Sequence, residues 1–125
     1  MELELLPETF AVCRLPADAD LPAWLGGALQ SVTRTPEELS IVCEAQRVPE
    51  PLQAERDWRC LRVSGTLAFH LTGILAALTA PLANAGISIF ALSTFDTDYL
   101  LVTNDCLEEA VTALTVVGHT VRKAA

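Results

Sequence analysis

The sequence predicts an α+β fold of two ferredoxin-like halves, with antiparallel sheet and helices on one face, the first half abbreviated. Two observations carry this expectation. Segments with alternating and with helical apolar spacing follow one another in a β-α-β-β-α-β order, and their hairpin links are too short for parallel crossovers. The order also occurs twice: TPEELSIVCE from Thr35 overlays FDTDYLLVTN from Phe95, which pairs Glu38 with Asp98 and Val42 with Val102. At 125 residues the halves are expected to fold as one unit, because a separate domain of about 60 residues buries too little surface to be comfortable alone.

In the first half, residues 1–57, a strand over Thr9–Leu15 leads through an acid-rich turn to a short helix. Asp20 is its expected N-cap, Pro22 lies in its first turn, and Gly26 with Gly27 ends it. Leu29–Thr35 and Leu39–Glu44 read as a hairpin turning at Pro36 and Glu37. Pro49–Asp57, with two prolines and three acids, reads as the connector.

The second half, residues 58–125, opens with a strand over Trp58–Val63 and a loop over Ser64–Leu71. A helix is expected over Thr72–Ala85, with Thr72 as cap and Ile74, Leu75, Leu78 and Leu82 on one face. Pro81 removes a hydrogen bond inside this helix and predicts a kink or an irregular last turn, and Gly86 stops it. Ile87–Thr94 and Asp98–Val102 form a hairpin around Phe95, Asp96 and Thr97. A last helix starts at Asp105, which with Glu108 resembles a capping box, and a short strand follows over His119–Arg122.

Apolar residues make up 51% and charged ones 19%, which argues against disorder, and no apolar run reaches the roughly 18 residues of a bilayer span. The acids in MELELLPETF oppose an export signal, so the expected compartment is the cytoplasm. A formal charge of −8, with Lys123 as the single lysine, disfavours nucleic acid and membrane as partners. Cys13, Cys43, Cys60 and Cys106 lack ligand or bridging spacing, so neither metal nor disulfide is expected, and no cofactor is implied. The large apolar fraction on a short chain predicts a homodimer.

Three groups of residues are candidates for binding. The start of the long helix offers unpaired backbone N–H groups at Thr72, Gly73 and Ile74, where a carboxylate is held by hydrogen bonds and the helix dipole. Asp98 at the hairpin corner suits an amino or guanidinium group, although a turn residue bonding its own backbone explains it equally well. Phe95 suits an aliphatic stem or simple core packing, and Ile87 and Ser88 are expected to open the central strand beside the helix loop. His70 has no nucleophile at a recognisable spacing, and so no catalytic residue is assigned. A competing class is a small acylphosphatase-like hydrolase pairing Arg14, Arg59 or Arg62 with Asn84 or Asn104, but the Gly-rich cradle it needs is missing after Arg14. A ligand-free oligomerisation module is a further alternative.

The run FHLTGILAALTAPLANAGISIFALSTFDTDYLLV, from Phe69 to Val102, resembles the ACT domain family, as found in small bacterial tandem-ACT proteins and in cytosolic arginine sensors. The helix, the AGI stop, the STF corner and the acid three residues later stand in the family's order, and ELSIVCE from Glu38 to Glu44 resembles its partner hairpin. The resemblance implies a non-catalytic regulatory module that binds a small molecule, an amino acid above all. It implies a pocket lined by Leu71, Thr72, Gly73 and Ile74 and by Thr94, Phe95 and Asp98. The arginine-sensing members carry an acid where this chain has Leu71, so the resemblance does not carry over arginine itself.

Overall fold

Strand β1 (Glu2–Leu15) starts well before Thr9. The cause lies in the alternation of ELEL: Leu3 is fully buried, while Glu2 and Glu4 turn outward to ion pairs with Arg122 and Arg62. The computed structural model describes residues 1–64 and 73–124, so the expected loop from residue 65 and the Thr72 cap lie outside the described residues. The chain divides into two compact units, Met1–Pro7 with Arg59–Ala125, and Glu8–Trp58. The long strands β1 and β4 (Ala54–Val63) contribute residues to each.

In the unit Glu8–Trp58 the strand order is β2 (Ser31–Arg34), β3 (Leu39–Glu44), β1, β4. Strands β1 and β3 are antiparallel from Phe10 opposite Glu44 to Leu15 opposite Leu39. The pleat puts Ala11 and Cys13 on the same face as Leu39, Ile41 and Cys43, and these form a core with Val48. Among the described residues no α-helix covers this core. The segment expected to be helical from Asp20 instead makes isolated turns, closed by the Ala19 N–H on Pro16 O and the Leu25 N–H on Pro22 O. Between Pro22 and Gly26 there are too few residues to repay helix nucleation. Ala19, Trp24 and Leu25 pack on the core directly, and Arg34 fastens the segment by donating to the carbonyls of Ala17 and Ala19. The expected connector is partly strand, since β4 begins at Ala54, and Arg56 holds the preceding turn by donating to the carbonyls of Val48 and Pro49.

All four cysteines are free thiols, and Cys13 and Cys43 are buried in this core. Burial pushes the Cys43 thiol up to about 11, helped by Cys13 and Glu44 against the opposing pull of Arg47. The Cys13 thiol is raised by the same desolvation. Native protein at pH 8 should therefore react with a thiol reagent first at the half-buried Cys106, with Cys13 and Cys43 released only on unfolding. A raised folded value also means that the folded state holds its proton longer than the unfolded chain. Stability at Cys43 is thus lost as pH rises from its ordinary value near 9 through about 11, which urea titrations across that range would report.

In the unit built from Met1–Pro7 and Arg59–Ala125 the strand order is β5 (Phe90–Ser93), β6 (Asp98–Thr103), β4, β1, with β7 (Thr120–Lys123) parallel to the start of β1. Helices α1 (Ile74–Asn84) and α2 (Leu107–Val116) lie on one face. Leu3, Leu61, Val63, Leu100 and Val102 meet Leu78, Leu82, Ala110 and Leu114 in a single core. The final strand is where its sequence predicts, but the first residues of β1 occupy the place beside β4 that a ferredoxin-like fold gives its last strand. The Asp105–Glu108 capping box does not form. The chain enters α2 through a 3-10 turn (Asn104–Cys106), so the residue before the helix is already in a helical conformation and has no side-chain cap.

The two hairpins have the same local form, in a register other than the one the sequence overlay gives. Thr35 and Thr94 each close the same turn, their hydroxyls and amides bonding the residue three positions on. Each turn then leads into a six-residue strand and a three-residue 3-10 turn, Leu39–Glu44 with Ala45–Arg47 and Asp98–Thr103 with Asn104–Cys106. The counterpart of Asp98 is therefore Leu39, and Glu38 corresponds to Thr97, one residue away from the sequence overlay.

Candidate functional site

Asp98 opens β6 directly opposite Ser93, the last residue of β5, and the Ser93 hydroxyl donates to its Oδ1 at 2.7 Å. The turn between them is closed by hydrogen bonds: the Thr94 N–H reaches Thr97 O at 2.9 Å, and the buried Thr97 hydroxyl donates to Val63 O at 2.9 Å, at the end of β4. Phe95 at the tip is 79% exposed.

Helix α1 begins after Gly73, whose φ of 77° is left-handed and suits glycine. Among the described residues no side chain caps the helix and no acid lies in its first turn, so described side chains do not neutralise its leading N–H groups or the positive end of its dipole. A series of hydrogen bonds brings this half of α1 to the sheet end that holds the Thr94–Asp98 turn. Ala77 O accepts from His119 Nε2 at 3.0 Å, the Thr120 N–H reaches Met1 O at 2.9 Å, the Ser64 N–H reaches Glu2 O at 3.0 Å, and Thr97 joins Val63. At the same end Glu4 Oε1 accepts from Arg62 at 3.0 Å and from the Ser64 hydroxyl at 3.3 Å.

Of the residues the sequence singles out, Gly73, Ile74, Thr94, Phe95 and Asp98 belong to this end, and Leu71, Thr72 and His70 lie outside the described residues. Ile87 and Ser88 need correction. They precede β5, which begins at Phe90 and forms the outer strand of the order, not a central one. The Ile87 side chain is buried in the core, its N–H closing the end of α1 on Leu82 O, while Ser88 is exposed. Sequence reasoning missed Ser93, Thr97 and His119. The Thr-x-x spacing shared by Thr35 and Thr94 was the available signal for the turn, and Pro81 for His119.

The arginines proposed for a hydrolase are committed to the chain itself. Arg14 binds Glu37 O and Glu38, and Arg62 binds Glu4. Arg59 does meet Asn104, at 3.5 Å, but its other terminal nitrogen is on Leu6 O at 3.2 Å. No helix is long and apolar enough to cross a membrane among the described residues.

The family model for the ACT domain matches residues 53–116. This chain belongs to the ACT domain family. A separate model for an N-terminal domain matches residues 8–51, ahead of the ACT domain. The crystal structure of protein Atu0741 from Agobacterium tumefaciens is similar at a TM-score of 0.93, with 39% identity over 99% of this chain and 93% of that one. The human cytosolic arginine sensor for mTORC1, subunit 1, is 40% identical over 58 residues, 46% of this chain and 18% of that protein. The regulatory subunit of aspartate kinase from Thermus thermophilus shares the fold at 12% identity, with a TM-score of 0.59 over 93% of this chain and 94% of that one. The curated relatives are longer: this chain spans about half of one, 52%, and 18% of the arginine sensor.

Proposed function

We propose that this ACT protein is a non-catalytic regulatory module of the cytoplasm that binds an amino acid. The binding end is that of Gly73, Ile74, Thr94, Phe95 and Asp98, with Leu71 and Thr72 completing the loop into α1. One observation supports the reading: a helix start with no cap among the described residues and a carboxylate at the head of β6 lie toward one end of a sheet. Uncapped N–H groups attract the carboxylate of an amino acid, and Asp98 attracts its ammonium, so a zwitterion satisfies both. The names of the relatives, an arginine sensor and a regulatory subunit, agree in kind.

Two ACT-type repeats, 1–57 abbreviated and 58–125 complete, make up the module, and two chains pair as a homodimer. The outer strand β5 and the exposed Phe95 beside it give that pairing an edge to use. The deciding experiment is a melting-temperature screen against the twenty amino acids, followed by isothermal titration of any that respond. A saturable rise with at least one is expected. No response and no heat with any of them would overturn the proposal, and turnover of an acyl phosphate would replace it with the hydrolase reading. Light scattering at high micromolar concentration should report a dimer.

A further inference from the structure

Pro81 sits inside α1 and has no amide hydrogen. In a regular helix the carbonyl four residues earlier, that of Ala77, accepts from that missing amide. In this chain Ala77 O has another partner: the Nε2 of His119, from the turn between α2 and β7, stands 3.0 Å from it. A carbonyl only accepts, so Nε2 carries the ring hydrogen. The second ring nitrogen agrees, because Nδ1 faces the Met1 nitrogen at 2.9 Å and takes an N–H there with its lone pair.

We propose that His119 is a positioning residue, a side-chain substitute for the amide that Pro81 lacks. It ties the N-terminal half of α1 to the β7 edge of its unit, and on the binding reading above this is the half that meets the amino acid. A helix broken at residue 81 and left with an orphaned Ala77 carbonyl would fray toward Gly73. A side chain fixed on a strand junction removes that freedom without restoring the helix ladder. Position 119 is half-buried at the end of the turn closed by the Gly118 N–H on Thr115 O, so the ring reaches Ala77 from a defined backbone.

The test is a double-mutant cycle on ligand-free protein with His119→Ala, Pro81→Ala and the pair together. His119→Ala should raise the unfolding equilibrium constant about fivefold, the effect of one lost hydrogen bond. In the Pro81→Ala background, where the replaced residue supplies the amide, the same change should alter it less than about twofold. An equal effect in both backgrounds would reduce His119 to packing and overturn the proposal. Ring nitrogen chemical shifts add a readout that packing does not set: a neutral Nε2–H tautomer is expected, and an Nδ1–H tautomer would overturn it. Neither arm uses an amino acid, so a chain that binds none can still pass. A failed cycle equally leaves the amino-acid reading untouched.

Discussion

Gly27→Ala should destabilise the protein by about 2.5 to 5 kcal/mol, far more than its place in a surface segment suggests. Gly27 has a φ of +92°, and a Cβ built there would lie 2.3 Å from Glu44 Oε2 and 2.8 Å from its Cδ. Glu44 is one of two buried polar residues among those described, and its carboxylate accepts the Ala28 N–H at 3.0 Å with Arg47 at 3.8 Å. The methyl group therefore brings two costs. A non-glycine residue in the left-handed region costs about 1 to 2 kcal/mol. Displacing the carboxylate from its amide removes a hydrogen bond to a charged group, about 1.5 to 3 kcal/mol. Gly73→Ala is the control, since its φ of +77° is similar but no atom of the described residues lies within 4 Å of the added Cβ. It should cost only the conformational part, about 1 to 2 kcal/mol. Urea unfolding of the two variants measures the difference, and equal losses would show that the Glu44 contact holds nothing in place.

That contact also explains why the first half was the harder one to read. Asp20, Pro22 and the paired glycines carry helix start and stop signals, yet the segment between them is held by long-range partners: Glu44 at Ala28, Arg34 at Ala17 and Ala19, and Trp24 against the core. None of these is a local pattern. Where periodicity alone sets the structure, as in Leu78 and Leu82 of α1 or the alternation through Leu100 and Val102 of β6, the elements stand as the sequence predicts. The Asp105–Glu108 box failed because capping depends on the backbone before the helix, and a 3-10 turn there was not legible from residue types. The local form of the candidate residues was legible in part. Gly73 and Asp98 follow from helix-start and turn chemistry, but Ser88 depended on where β5 begins, which tertiary packing sets by burying Ile87 against α1 and delaying the strand to Phe90.

Asp98→Ala should weaken amino-acid binding by about 2 to 4 kcal/mol, the loss expected when one partner of a desolvated charge pair is truncated. The lower end is the better expectation, because Asp98 is half-buried and solvent screens part of the attraction. Stability should fall by less than about 1 kcal/mol, since the change removes the Ser93 hydrogen bond but leaves the Thr94 turn and its anchor on Val63 intact. Asp98→Asn separates the two roles. Its amide oxygen still accepts from the Ser93 hydroxyl, so the melting temperature should match the wild type, while the lost charge should weaken binding almost as much as alanine does. Titration of all three proteins with an amino acid that binds the wild type provides the comparison. Should the asparagine variant bind like the wild type, Asp98 acts as a turn residue and the ammonium is held by another group. Weakened binding at unchanged stability would make the negative charge at the head of β6 the group that recognises the amino end of the ligand, and would leave the carboxylate to the proposed N–H groups of α1.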